Sequence, residues 1–209
     1  IKYINDNTIF KDGYTYNKKT NKRIMAILPV YIFGNSIDCN ELYKICIQRN
    51  IKIIEDATEA LGTFYSDNTH AGGKGDIGCL SFNGNKIITS GGGGMILTSN
   101  YNYYKKAKYL STQAKDDELY FIHNEIGYNY RLSNVHAAIG LGQLEKIESI
   151  LKIKNEIHRY YCEYVNSHFK YGNINNGPPN SKNNFWLNVL NIDDYKGKRL
   201  SDFINYLIN

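Results

Sequence analysis

Short apolar runs alternate with polar turns along the first half of this chain. Residues 24–30, 51–54, 77–82 and 95–98 form apolar runs of strand length, and an amphipathic stretch over 41–49 separates the first two. The order strand, helix, strand predicts a βαβ unit, whose two strands pair in parallel. The pattern therefore predicts an α/β fold built on a mainly parallel sheet.

The periodicity changes further along the chain. Residues 62–73 are typical of a hairpin with a polar tip, while apolar positions recur at helical spacing over 101–112 and 135–165. Residues 171–184 are rich in Gly, Pro and Asn, which is typical of a linker. Asp38 stands where it can cap the helix predicted after it.

This change of composition divides the chain into two predicted domains. We expect residues 1–150 to form a large domain that is incomplete at its N-terminus. Residues 151–209 then contain a bridging helix and the incomplete start of a small α+β domain, with a strand over 185–192 and a helix from Lys198 onward.

Composition and charge are those of an ordinary globular chain. The net charge of +5 is spread along the sequence, and the densest basic cluster, residues 18–23, is expected to be a solvated turn, so we expect no nucleic-acid partner. No run approaches the ~20 apolar residues of a membrane helix. The four cysteines lack CxxC spacing and the five histidines lack metal-ligand spacing, which favours a cytoplasmic protein with reduced thiols and no metal.

The most informative segment lies between the last two apolar strands. Lys86 follows the run Ser81-Phe82-Asn83-Gly84-Asn85 and precedes four glycines at residues 91–94. Ordered glycines lose much backbone entropy, so a folded chain keeps them where other residues would clash. A lysine beside such a turn can approach a ligand closely, and its amine can form a Schiff base.

Carboxylates follow the strand predicted over residues 51–54. Catalytic groups of open α/β sheets lie at the carboxyl ends of strands, where Asp56 and Glu59 fall. An acid there and a lysine after a later strand suit pyridoxal phosphate (PLP), whose aldehyde binds the lysine and whose ring nitrogen the acid keeps protonated. One alternative stays open: Asp56 caps a helix, Glu59 completes a capping box, and Lys86 is a solvated surface residue.

Three segments together resemble one enzyme family. They read EDATEALG at residues 55–62, GDIGCLSFNGNK at 75–86 and HNEIGYNYRLSNVHAA at 123–138. In this order they resemble the DegT/StrS family of sugar-nucleotide aminotransferases, which are fold-type-I PLP enzymes. The residues around Lys86 and over 123–131 most resemble the branch that aminates UDP-4-keto-6-deoxy-N-acetylhexosamines on the way to legionaminic-acid-type sugars.

The resemblance implies roles around the ring of PLP for four residues. Lys86 would form the Schiff base and, once freed, would move a proton between the amino donor and the cofactor. Asp56 would hold the ring nitrogen and Thr58 would lie against the ring face. Glu59 would lie near the phenolic oxygen.

The resemblance also implies roles around the phosphate and the substrate. Ser81 would donate a hydrogen bond to the phosphate, with Asn83 beside the cofactor. Asn129 would reach the phosphate of the partner subunit in a homodimer with shared active sites. Arg131 would meet the substrate or the donor's carboxylate, although an interface salt bridge is the alternative.

The implied reaction transfers an amino group, with glutamate as donor, to a nucleotide-linked keto-sugar for bacterial surface glycans. Sugar dehydration is disfavoured because the relatives that catalyse it resemble this pattern with a His in place of Lys86. Set against the family, the chain is expected to be an internal fragment. The alternative function is therefore that of a truncated remnant that folds or pairs without cofactor.

Two segments depart from the family pattern. Tyr31 stands where relatives usually have a His before the Phe-Gly turn, and Gly73-Lys74 stands where relatives usually have Thr and an uncharged residue. Neither position belongs to the segments that carry the resemblance.

Overall fold

The computed structural model of the chain describes residues 1–37, 40–117, 119–192 and 200–208. Two predictions, the helix cap at Asp38 and the start of the last helix at Lys198, lie outside the described residues.

Six α-helices and ten strands lie within the described residues. The helices are α1 (Lys2–Asn7), α2 (Asn40–Gln48), α3 (Tyr101–Ser111), α4 (Asn134–Leu144), α5 (Ile147–His168) and α6 (Leu200–Ile208). The strands are β1 (Thr8–Lys11), β2 (Tyr14–Asn17), β3 (Ala26–Ile27), β4 (Lys52–Asp56), β5 (Phe64–Tyr65), β6 (Ile77–Ser81), β7 (Gly94–Leu97), β8 (Gly172–Ile174), β9 (Ser181–Lys182) and β10 (Leu190–Ile192).

A four-stranded sheet in the order β3-β4-β6-β7 positions the candidate site. β3, β4 and β6 run parallel, and β7 runs antiparallel to β6. The predicted α/β fold with a mainly parallel sheet is confirmed. The edge strand reverses direction because the chain turns back from β6 into β7 through a loop without a crossover helix, and such a loop joins antiparallel neighbours.

The two faces of this sheet are buried to different degrees. Glu55 and Leu80 lie on the buried face, whereas Asp56 and Ser81 lie on the opposite, partly exposed face. Asp56 pairs with Cys79, two residues before Ser81, and side chains alternate along a strand, so Asp56 and Ser81 share one face. The buried face carries the cluster Tyr31, Ala57, Ala60, Tyr65, Ala71 and Leu80.

The single helix predicted over residues 135–165 is wrong, because two helices replace it. α4 ends at Leu144, where Glu145 and Lys146 donate their N–H groups to the carbonyls of Leu141 and Gln143. The bond from Lys146 spans three residues, so the last turn tightens and α4 ends before α5 begins. Two glycines inside α4 also weaken it, which a count of apolar positions does not register.

The linker predicted over residues 171–184 is also wrong in part. It contains β8, which pairs with β10, and β9, which pairs with β5. The strand predicted over 185–192 shrinks to β10. These pairings join segments far apart in sequence, so no local pattern predicts them. The hairpin at residues 62–73 is confirmed by the bridge between Phe64 and His70, and the division into two domains stays a prediction.

Candidate functional site

Lys86 lies in the loop between β6 and β7, and the backbone of this loop is fixed at both ends. The Phe82 N–H donates to the Gly93 carbonyl at 3.0 Å, and the Ser90 N–H donates to the Phe82 carbonyl at 3.0 Å. Residues 87–88 are buried in an apolar cluster with α5. The side chain of Lys86 therefore starts from a well-fixed backbone.

The four glycines serve the turn that closes this loop. Gly91 and Gly93 have φ of +83° and +86°, a region that other residues rarely adopt. A Cβ on Gly94 would lie 2.5 Å from the Leu80 carbonyl oxygen, whereas a Cβ on Gly92 would meet nothing within 4 Å. Gly94 thus approaches the chain's own β6 strand, whereas a Cβ on Gly93 would lie 2.6 Å from Cδ1 of Leu132.

The amine of Lys86 is largely screened from solvent. Its side chain is 14% exposed, and Nζ lies 3.5 Å from Oε1 of Glu59 and 4.6 Å from the ring centroid of Trp186. The other oxygen of Glu59 accepts the N–H of Phe33 at 2.7 Å. The alternative of a solvated surface lysine is therefore wrong. Sequence reasoning missed Trp186, and the one signal available was its status as the only tryptophan of the chain.

Asp56 ends β4 with a carboxylate oriented by its neighbour. Oδ1 accepts the Thr58 hydroxyl at 2.7 Å and the Thr58 N–H at 3.2 Å. The next residues form two successive turns, closed by bonds from Ala60 to Ala57 and from Thr63 to Ala60, and not a helix. The helix-capping alternative for Asp56 is thus wrong. Within the described residues, its other oxygen accepts no hydrogen bond.

Ser81 ends β6 beside the end of β4. Its hydroxyl oxygen accepts the N–H of Asn83 at 3.3 Å, and the Asn83 amide donates to Asn85 at 3.5 Å. Because β4 and β6 are parallel neighbours, their carboxyl ends meet at the same edge of the sheet. Asp56 and Ser81 therefore stand at the edge from which the Lys86 loop begins.

Asn129 and Arg131 lie in a different segment of the chain, between α3 and α4. Their segment runs along the end of α3, where Asn129 bridges Thr112 and the Tyr128 N–H donates to the Leu110 carbonyl at 2.7 Å. Both side chains are exposed, and in the described part of the chain neither is hydrogen-bonded to Lys86 or Asp56. The residue after Arg131, Leu132, lies beside the glycine turn, since a Cβ on Gly93 would stand 2.6 Å from its Cδ1.

A buried carboxylate that sequence reasoning did not single out lies directly before Asp56. Burial alone would raise the pKa of Glu55, but hydrogen bonds from side chains and backbone outweigh this, and the pKa of Glu55 is lowered. Burial raises the pKa of both tyrosines that donate to it, so their hydroxyls stay protonated. The carboxylate of Glu55 accepts hydrogen bonds from the hydroxyls of Tyr31 (2.8 Å) and Tyr65 (2.7 Å) and from the N–H groups of Gly72 (2.7 Å), Lys74 (2.7 Å) and Gly75.

The model of the DegT/DnrJ/EryC1/StrS aminotransferase family matches residues 4–208. The chain belongs to this family. The resemblance seen in the three sequence segments is thereby confirmed over nearly the whole chain.

Two curated relatives and one solved structure illustrate this membership. The GDP-perosamine synthase of Escherichia coli O157:H7 is 35% identical over 176 residues, which cover 80% of this chain and 48% of that protein. The UDP-4-amino-4,6-dideoxy-N-acetyl-beta-L-altrosamine transaminase of Campylobacter jejuni subsp. jejuni serotype O:2 is 34% identical over 162 residues, covering 73% and 43%. Helicobacter pylori PseC, an aminotransferase involved in the biosynthesis of pseudoaminic acid, superposes with a TM-score of 0.78 at 24% identity over 91% of this chain and 50% of that one.

The chain spans about half the length of the curated relatives that it matches. The likeness to PseC supports the fold assigned from the sheet. Among the described residues, no helix has both the length and the apolar character needed to cross a membrane. The same residues contain no group of three or more acidic, His or Cys side chains suited to a metal ion.

Proposed function

We propose that the full-length protein transfers an amino group from glutamate to a nucleotide-linked keto-sugar, with PLP bound at Lys86. Family membership supports the reaction class. The observation that carries the proposal is the screened amine of Lys86 in a loop that begins at the same sheet edge as Asp56. An amine in this position can react with an aldehyde held over that edge.

The residues at this edge fit PLP in three respects. Lys86 offers an amine, Asp56 offers a carboxylate oxygen that accepts no hydrogen bond from the described residues, and Ser81 offers a hydroxyl proton. Bound PLP would supply an electron sink for the carbanion formed at the donor's α-carbon. Asp56 would favour this by keeping the ring nitrogen protonated.

The neighbours of Lys86 and Asp56 would orient these two groups. Thr58 fixes one oxygen of Asp56 through its hydroxyl and N–H, so the other oxygen would be the one that pairs with the ring nitrogen. Lys86 would bind the aldehyde carbon and, when released, would carry a proton to and from the α-carbon of the donor. Glu59 would stabilise the protonated amine and lie near the phenolic oxygen.

The phosphate and the substrate would be held by residues of two subunits. Ser81 and Asn83 would bind the phosphate from one side, and Asn129 would reach it from the partner subunit. Arg131 would pair with a carboxylate of the donor or with the substrate. The segment that carries both residues is exposed and apolar, with Ile126 84% exposed, which supports a homodimer formed through this surface.

The acceptor we propose is a UDP-4-keto-6-deoxy-N-acetylhexosamine. This choice rests on the sequence around Lys86 and over residues 123–131. Overall sequence identity does not discriminate between a GDP-linked and a UDP-linked acceptor. The relative named for a GDP-sugar is 35% identical to this chain, and the relative named for a UDP-sugar is 34% identical.

Mixed dimers test the reaction and the shared site together. Lys86→Ala and Asn129→Ala proteins should each lose glutamate-dependent amination. Co-expressed, they should regain about a quarter of the wild-type rate, because half of the random dimers are mixed and each of these has one intact site. A Lys86→Ala protein that still aminates contradicts the role given to Lys86. Two inactive variants that regain nothing together contradict the shared site.

A further inference from the structure

The indole of Trp186 lies against the amine of Lys86, although the two residues are far apart in sequence. We propose that Trp186 is a positioning residue that, together with Glu59, stabilises Lys86 as a free ammonium group. It would thereby favour the state in which Lys86 has been released from PLP. This inference rests on the proposed function for its catalytic meaning, but the contact itself does not depend on it.

The geometry of Trp186 fixes its ring beside the loop of Lys86. Nε1–H donates to the carbonyl of Asn85, the residue directly before Lys86, at 2.7 Å. The Trp186 carbonyl accepts Nζ of Lys154 at 3.1 Å, which ties the segment to α5. Only 8% of Trp186 is exposed, so its face is available to the amine and largely closed to water.

A single buried asparagine fixes the position of Trp186 relative to Glu59. The Asn184 amide donates to the carbonyls of Glu59 at 2.8 Å and Leu61 at 2.9 Å, and its side-chain oxygen accepts the Trp186 N–H at 2.9 Å. The backbone of Asn184 also donates to the hydroxyl of Thr63 at 3.0 Å. The two partners of the Lys86 amine are therefore held in one hydrogen-bonded unit.

Charge explains what this unit would do. A cation over an indole face is attracted by the negative potential of the ring, and the neighbouring carboxylate of Glu59 adds to this attraction. Bonding of the Lys86 ammonium to the aldehyde of PLP would form a C=N bond and release water and a proton to solvent, so the nitrogen would no longer be an ammonium. When the donor's ammonium takes its place, the C=N bond to Lys86 would break and the donor's proton would pass to the departing Lys86 amine. A contact made in only one of two states shifts the equilibrium towards that state.

Fluorinated tryptophans at position 186 test the contact without changing the shape of the side chain or its Nε1–H. Each added fluorine weakens the negative potential of the ring. We expect trace acetylation of the PLP-free full-length protein, followed by mass spectrometry, to modify Lys86 faster with each fluorine, by about five-fold in total. Lys105 is the internal control, because its ring partner is Tyr101. An acetylation rate of Lys86 that does not depend on fluorination overturns the proposal.

The same proteins test the consequence for cofactor binding. We expect covalent attachment of PLP to Lys86, trapped with borohydride and quantified at several PLP concentrations, to become tighter with each fluorine by about the same factor. Attachment that is equally tight in all the proteins overturns the role of Trp186 and leaves the proposed function intact. A clear acetylation trend without any PLP attachment overturns the proposed function and leaves the ammonium contact intact.

Discussion

One buried carboxylate, Glu55, holds three segments of the chain together next to the candidate site. Its carboxylate accepts hydrogen bonds from Tyr31, from Tyr65 and from the backbone of residues 72–75. Both departures from the family pattern, Tyr31 and Gly73-Lys74, lie at this carboxylate. Because Asp56 is the next residue of β4, the cluster also fixes the backbone that presents Asp56.

Replacing this carboxylate should destabilise the fold. Glu55→Gln keeps the shape of the side chain, but its NH2 group then faces a hydrogen-bond donor and can accept no bond. We therefore expect the free energy of unfolding, measured in urea at about pH 7, to fall by about 3 kcal/mol. Glu156→Gln, on the exposed side of α5, is the matched control and should change stability by less than about 0.5 kcal/mol. A loss as small as that of the control would contradict the role given to Glu55.

The stability lost in Glu55→Gln should also depend on pH. Folding lowers the pKa of Glu55, so its contribution is complete above the unfolded pKa of about 4.3 and disappears as the pH falls through the lowered value. The difference between wild type and Glu55→Gln should therefore narrow in acid. A difference that widens in acid would contradict the lowered pKa.

The sequence points to candidate residues at strand ends, but it does not show their contacts. Lys86, Asp56 and Ser81 follow from their places at strand ends and from the family resemblance. Glu55 and Trp186 could not be singled out, because their partners are distant in sequence and hydrogen bonds between distant residues leave no local pattern.

At the scale of elements, the glycine turn decides how β7 returns beside β6. Gly94→Ala would place a Cβ against the Leu80 carbonyl, so we expect the free energy of unfolding in urea to fall by about 2 kcal/mol. Gly92→Ala is the matched control, since its Cβ would meet open space, and it should cost less than about 0.5 kcal/mol. Equal losses of stability in the two variants would show that glycine is required here by the conformation of the turn and not by the close approach of Gly94 to β6.

Elements with strong local periodicity were predicted well, and elements set by distant partners were not. β4, β6 and α3 lie within two residues of their predicted bounds. The break between α4 and α5 and the pairing of β5 with β9 were missed. The break depends on one tightened turn, and the pairing brings together strands from the two predicted domains.

At the scale of the whole molecule, the residues predicted for the site come from separate segments of the chain. Lys86, Asp56 and Ser81 lie at one sheet edge, while Asn129 and Arg131 lie on an exposed surface beside α3. Order and spacing of three segments were enough to predict the family from the sequence. The proposed completion of the site by a partner subunit depends on contacts between chains, which a single sequence does not encode in any local pattern.

The central claim is that Lys86 is the residue that binds PLP covalently. The most direct measurement is to incubate the full-length protein with PLP, reduce it with borohydride, digest it and locate the phosphopyridoxyl group by mass spectrometry. We predict the group on Lys86 in wild type and on no lysine in Lys86→Arg. A group found on a different lysine of a protein that still transfers the amino group would contradict the account.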